Sequence, residues 1–99
     1  MVNSGVKLYT IKFSSRFKKD FKRVKNNKKN YIKLLDTIEL LADGKTLDKS
    51  YNVHKLNNDG TYKDCIECHI CPDLLLVYKY DNNELYLYLI RTGSHSELF

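Results

Sequence analysis

Proline and glycine are scarce in this chain: Pro72 is the only proline, and four glycines are spread over 99 residues. That scarcity excludes a collagen-like, low-complexity or bulk-disordered chain. No apolar run approaches the ~18 residues that a membrane-spanning helix needs. Residues 1–13, MVNSGVKLYTIKF, lack the apolar core of a signal peptide, which predicts a cytoplasmic protein. The three cysteines are an odd number, and in a reducing compartment no disulfide framework is expected. Acidic residues are almost missing from the first third. Residues 1–33 hold eleven lysines and arginines against Asp20 alone, a local charge of +10, whereas residues 34–99 carry a net −5.

The residues that are present describe one domain spanning 1–99. A hydrophobic fraction of 42%, with eight tyrosines and four phenylalanines, can fill a single modest core. Residues 7–13 alternate as a short strand, with Leu8, Thr10 and Lys12 on one side and Tyr9, Ile11 and Phe13 on the other. Ser14 and Ser15 offer a helix N-cap, and Phe17, Phe21 and Val24 then fall on one helical stripe. Asn26 and Asn27 break that pattern. A second helix over about 29–42 carries Tyr31, Leu34, Leu35, Ile38 and Leu41 on one face, with Gly44 at its C-terminal end. The short link predicts an antiparallel helical hairpin. Residues 45–61 read as a loop, with a turn at Asn57, Asn58, Asp59 and Gly60. Strands follow at about 62–70, 75–80 and 85–92, the last two joined by a turn at 81–84. The expected class is α+β, in the order β-α-α-β-β-β, with a mostly antiparallel sheet and the helical hairpin on one face.

The stretch CIECHICPD, from Cys65 to Asp73, spells C-x-x-C-H, a haem-attachment pattern, and Cys71 adds a third thiol for a metal knuckle. Strand alternation argues against both. Lys63, Cys65, Glu67, His69 and Cys71 share one face, and Asp64, Ile66, Cys68 and Ile70 share the other. Cys65 and Cys68 then point to opposite sides and cannot clasp one metal or one haem. Met1 is the only methionine, so a methionine axial ligand is absent from the body of the chain. Neither cofactor nor metal is expected. Cys68 reads as a small core residue, and Cys65 and Cys71 carry no assigned role.

The polar candidates gather at element ends: His54 before the strands, His69 and Asp73 around Pro72, Arg91 at the end of the last strand, and His95 and Phe99 beyond it. The hairpin of the last two strands is expected to bring Asp73 and Arg91 to one end of the sheet. Histidines, a carboxylate and an arginine beside a basic surface suit metal-free RNA cleavage. A base takes the 2′-hydroxyl proton, a cation steadies the phosphoryl oxygens, and an acid protonates the leaving 5′-oxygen. The residue types leave open which of His54, His69 and Asp73 is the base. Lys18, Lys19, Lys22, Arg23 and Lys25 form the basic helix face, which suits RNA or an acidic protein partner and otherwise reads as a solvated face.

FSSRFKKDFKRVKNN, YNVHKL and the C-terminal ECHICPDLLLVYKYDNNELYLYLIRTGSHSELF resemble the YafQ branch of the RelE superfamily. These are toxins of bacterial type II toxin–antitoxin systems, ribosome-dependent mRNA interferases. The resemblance implies roles for His54 as the loop histidine and for His69 with Asp73 as the acid/base and 2′-hydroxyl-activating pair. It further implies Arg91 for transition-state charge, His95 as general acid, and Phe99 for packing or orienting substrate. The implied partners are mRNA and the ribosome, and a DinJ- or RelB-like antitoxin with an acidic segment. Operator DNA is reached only through the antitoxin. Leu74 stands where many relatives have tryptophan after the aspartate, which removes a base-stacking ring. On this reading Arg91→Ala and His95→Ala abolish activity and leave the fold intact.

Overall fold

Ser14 joins the first strand to the first helix and ties both to the last strand. The computed structural model describes residues 7–56, 60 and 62–99. Strand β1, Thr10–Phe13, runs into helix α1, Ser15–Val24, through Ser14 as N-cap. The Ser14 hydroxyl oxygen accepts from the Phe17 N–H at 2.9 Å, and the hydroxyl donates to the Ile90 carbonyl at 2.6 Å. Phe17 and Val24 are buried on the α1 stripe, and so is Asp20. Asn27 then caps helix α2, Lys28–Ala42, its side chain accepting from the Asn30 N–H at 3.2 Å. Gly44 closes α2 at a φ of +75°, in the left-handed region that favours glycine. A Cβ there would come within 2.7 Å of the Leu8 side chain.

A short 3₁₀ turn, Lys49–Tyr51, leads to β2, His54–Lys55. Strands β3, Ile66–Cys71, β4, Leu74–Asp81, and β5, Tyr86–Gly93, follow, and a short helix α3, His95–Leu98, ends the chain. The five-stranded sheet runs β1-β5-β4-β3-β2. β1 lies parallel to β5, and every other pairing is antiparallel. The α+β class and the order of the main elements match expectation, with β2 and α3 added. β2 lies in the stretch read as loop, because His54 and Lys55 pair with Glu67 and Ile66 at the sheet edge. β3 begins at Ile66 rather than 62, because residues 62–64 turn and Asp64 takes a φ of +62°. The expected turn at Asn57, Asn58 and Asp59 lies outside the described residues.

β4 is buried on both faces, as its unbroken apolar run demands. Leu74, Leu76 and Tyr78 join Phe17, Leu34, Ile38, Leu41, Leu87 and Leu89 under the helices. Leu75 and Val77 face the other way, with Tyr62, Cys65 and Leu98. Cys68 lies in the first cluster and Cys65 in the second, so the two thiols are separated by the sheet. Burial pushes the Cys68 thiol up to about 12. Two expectations fail locally. A register shift between His69 and Cys71 turns Cys71 to the helix side, where its Sγ lies 3.3 Å from Asn30 Oδ1. Leu35 is 39% exposed because Leu34 and Ile38 already fill the α2 contact with the sheet.

Candidate active site

Cross-strand pairing assembles the site on the sheet face away from the helices. His54, Glu67, Val77 and Arg91 are successive partners across β2, β3, β4 and β5, and His69, Leu75 and Gly93 form the next row. Directly opposed residues point to one face, so β3 presents Glu67 and His69 together beside His54. Glu67 Oε1 lies 3.0 Å from His54 Nε2 and 3.4 Å from His69 Nε2. Glu67 is 4% exposed, while both imidazoles reach solvent. His54 Nδ1 sits 3.0 Å from the Asn52 carbonyl. That contact requires a proton on Nδ1, so His54 also donates to Glu67 through Nε2 only as an imidazolium. Both imidazoles thus lie within hydrogen-bond reach of one shared carboxylate oxygen.

A second carboxylate organises the β5 side. Asp20 of α1 is 2% exposed. Its Oδ2 accepts from Arg91 Nε at 2.7 Å and from the Thr92 N–H at 3.1 Å; its Oδ1 accepts from Arg91 Nη2 at 3.0 Å and Arg23 Nη2 at 2.9 Å. Hydrogen bonding to Asp20 raises the Arg91 pKa further, so this guanidinium is a permanent cation. Nη1 is the nitrogen that Asp20 leaves uncommitted. Arg23 Nη1 reaches on to Glu97 Oε2 of α3 at 3.0 Å.

Helix α3 is pinned rather than frayed. Ser94 and Glu97 form a capping box, with the Ser94 N–H 2.7 Å from Glu97 Oε1. The Ser94 hydrogen bonds, backbone first and then side chain, hold the Glu97 carboxyl below the usual range. Leu98 is buried, and the Tyr62 hydroxyl donates to its carbonyl at 2.9 Å. The Phe99 ring sits 5.2 Å from both the Tyr62 and His95 rings. His95 is exposed, and Phe99 is 50% exposed.

Residues 9–99 match the family model described as the bacterial toxin of type II toxin–antitoxin system, YafQ. The chain belongs to the YafQ toxin family. It is 32% identical to the mRNA interferase toxin YafQ of Escherichia coli over 90 residues, 90% of this chain and 94% of the relative. A metal-bound toxin from Helicobacter pylori shares 42% identity at a TM-score of 0.81, covering 92% of this chain and 99% of that one. The E. coli DinJ–YafQ complex matches at 32% identity and a TM-score of 0.79, covering 92% and 98%.

Within this YafQ-family fold, His54 and His69 come together, and the carboxylate between them is Glu67. Asp73 is exposed in the β3–β4 turn, its Oδ1 3.4 Å from Cys71 Sγ. Arg91 lies toward the same end of the sheet, yet the carboxylate it holds is Asp20. Sequence reasoning missed both buried acids. Alternation had already placed Glu67 on the His69 face, and Asp20 stood out as the lone acid of the basic third. The basic residues also divide. Lys18, Lys22 and Lys25 rim an open groove of about 640 Å³ floored by Phe17, Phe21 and Ile38, in the helix layer. Arg23 is held in ion pairs, and Lys19 is exposed. The ligand atoms of His54, Glu67 and His69 lie within 4.8 Å of one another, close enough to hold a metal ion. Among the described residues no helix is long and apolar enough to cross a membrane.

Proposed function

We propose that the protein is an mRNA interferase, an endoribonuclease toxin that cuts mRNA on the ribosome by 2′-hydroxyl attack. The observation that carries this reading is buried Glu67 between His54 and His69, on one sheet face with Arg91 and flanked by the helix that bears His95. Glu67 takes the 2′-hydroxyl proton, and the freed oxygen attacks the adjacent phosphorus. Arg91 Nη1 and the imidazolium groups of His54 and His69 steady the charge on the phosphoryl oxygens. His95 gives its proton to the departing 5′-oxygen, leaving a 2′,3′-cyclic phosphate and a 5′-hydroxyl. Phe99 supports the His95 ring and orients substrate. Asp73, exposed beside the site, contacts the RNA rather than the proton in flight. The lysine-rimmed groove on α1 suits an acidic, apolar antitoxin segment, as expected of a family whose E. coli member is found in complex with DinJ.

Expression of the chain in bacteria tests this reading. Growth arrest is expected, with mRNA cut at translated codons and with both effects lost in His95→Ala. Normal growth with abundant folded protein overturns it. A second reading rests on the His54, Glu67 and His69 trio and on the metal-bound Helicobacter pylori relative. A metal held there would occupy the same nitrogens and carboxylate that the proton transfers use. Cleavage is therefore expected to continue in EDTA and to be inhibited by added zinc or copper. Loss of cleavage in EDTA that zinc restores would assign the trio to a catalytic metal instead.

A further inference from the structure

Tyr86 and Tyr88 alternate with Leu87 and Leu89, which are buried under the helices, so the two phenol rings leave β5 on the site face. Both are partly exposed. Tyr9, Tyr62 and Tyr80 each donate a hydroxyl within the fold, whereas the Tyr86 and Tyr88 hydroxyls have no partner among the described residues. Tyr88 sits mid-row between Lys12 of β1 and Lys79 of β4. The Lys79 ammonium lies 5.8 Å from the Tyr88 ring centre and the Lys12 ammonium 4.7 Å from that of Tyr86. The two rings are 5.8 Å apart at 71°. Asp64 and Asp81 are the acids nearby, lining a hollow with Lys79, Tyr88 and Ile90. The Asp81 carboxylate is engaged by the Asn83 and Glu84 N–H groups. From Tyr88 the strand leads to Arg91 in three residues, about 10 Å.

Partly exposed rings, capped only by mobile lysine ammonium groups and leading to an arginine suited to phosphate, match the needs of unpaired RNA. Every base can stack on a ring, and the lysines meet the phosphates. We propose that Tyr86 and Tyr88, with Lys12 and Lys79, form a subsite that stacks the unpaired nucleotides flanking the scissile bond. This rests on the ribonuclease reading for the identity of the strand. Exposed Lys–Tyr contacts are weak, about 0.5–1 kcal/mol, so a base displaces them readily.

The test is fluorescence anisotropy at low salt, with a labelled single-stranded oligodeoxynucleotide that lacks the attacking hydroxyl and cannot be cut. Tyr88→Ala is expected to weaken binding about tenfold, and Tyr88→Phe to bind within about twofold of wild type. Tyr88→Thr, suited to a strand, replaces the alanine variant should that variant melt early. Lys12→Gln with Lys79→Gln is expected to flatten the salt dependence. Equal binding by wild type and Tyr88→Ala, or no binding by wild type, overturns the subsite. Binding that depends on Tyr88 in a protein that cuts no mRNA overturns the ribonuclease reading and leaves the platform. Cleavage with binding indifferent to Tyr88 does the reverse.

Discussion

Glu67 and Asp20 are both buried carboxylates at the ends of one cross-strand assembly, and they do opposite work. Asp20 faces two guanidiniums and a backbone N–H, none of which gives up a proton near neutral pH. It therefore forms a fixed joint that binds α1 to β5 and, through Arg23, to α3. Glu67 faces two imidazoles that reach water, side chains whose ring nitrogens can take up or release a proton. A carboxylate locked by arginines makes a scaffold; one shared by histidines has partners able to exchange protons, as the proposed mechanism requires. The difference lies wholly in the partners, since burial is nearly the same, 2% for Asp20 and 4% for Glu67.

Breaking the scaffold side is expected to have the largest effect on folding. Asp20→Ala leaves Arg91 buried without its counter-charge, and about 3–5 kcal/mol of stability should be lost in urea denaturation. Arg91→Ala leaves Asp20 buried with one counter-charge fewer, so that variant is expected to lose stability, where the sequence alone suggested an intact fold; His95, exposed, keeps that expectation. Arg23→Ala cuts the exposed pair with Glu97 and one of the two guanidinium contacts to buried Asp20, which keeps Arg91 as its partner. With 59% of the Arg23 side chain accessible, the variant is expected to cost about 1–2 kcal/mol. Its larger effect should be on cleavage, through looser placement of His95, seen as faster amide exchange in α3. Acid sharpens the same point. The Glu97 carboxyl is lowered in the fold, so its contribution is complete above the ordinary value of 4.5 and is lost as pH falls through the lower folded value. Amide protection in α3, measured against the intrinsic exchange rate at each pH, should therefore fall below about pH 4.5. The smallest effects belong to the cysteines. Cys65→Ser and Cys68→Ala should leave cleavage near wild type, and Cys71, partly exposed, should be alkylated well before Cys68.

The layers of the fold were legible because periodicity is local. Phe17 and Val24, or Leu34, Ile38 and Leu41, announce a helix face without knowledge of their partners, and Ser14 and Asn27 announce the caps. Alternation correctly separated Cys65 from Cys68 and retired the haem-like pattern. It failed at Cys71, where a register shift adds a residue that no period encodes. β2 was invisible because two residues carry no pattern; the Glu67 and Ile66 backbones recruit His54 and Lys55 to the edge. The site was legible in part. His54, His69, Arg91 and His95 all lie on or beside one face, but their carboxylates come from pairings that span long stretches of chain. Asp20 meets Arg91 across 71 residues, a distance at which no spacing rule operates. Asp73 drew attention because it stands next to Pro72, and Glu67 escaped it within an apolar strand.

The most direct measurement is the mRNA cleavage rate of Glu67→Gln at neutral pH, made on protein whose melting curve overlays that of wild type. The amide keeps the shape of the carboxylate and removes its capacity to accept the proton. A fall of about 100-fold or more, the low end for losing a general base, is the expected result. Cleavage at the wild-type rate would contradict the assignment of Glu67 and return the base to His54, His69 or Asp73.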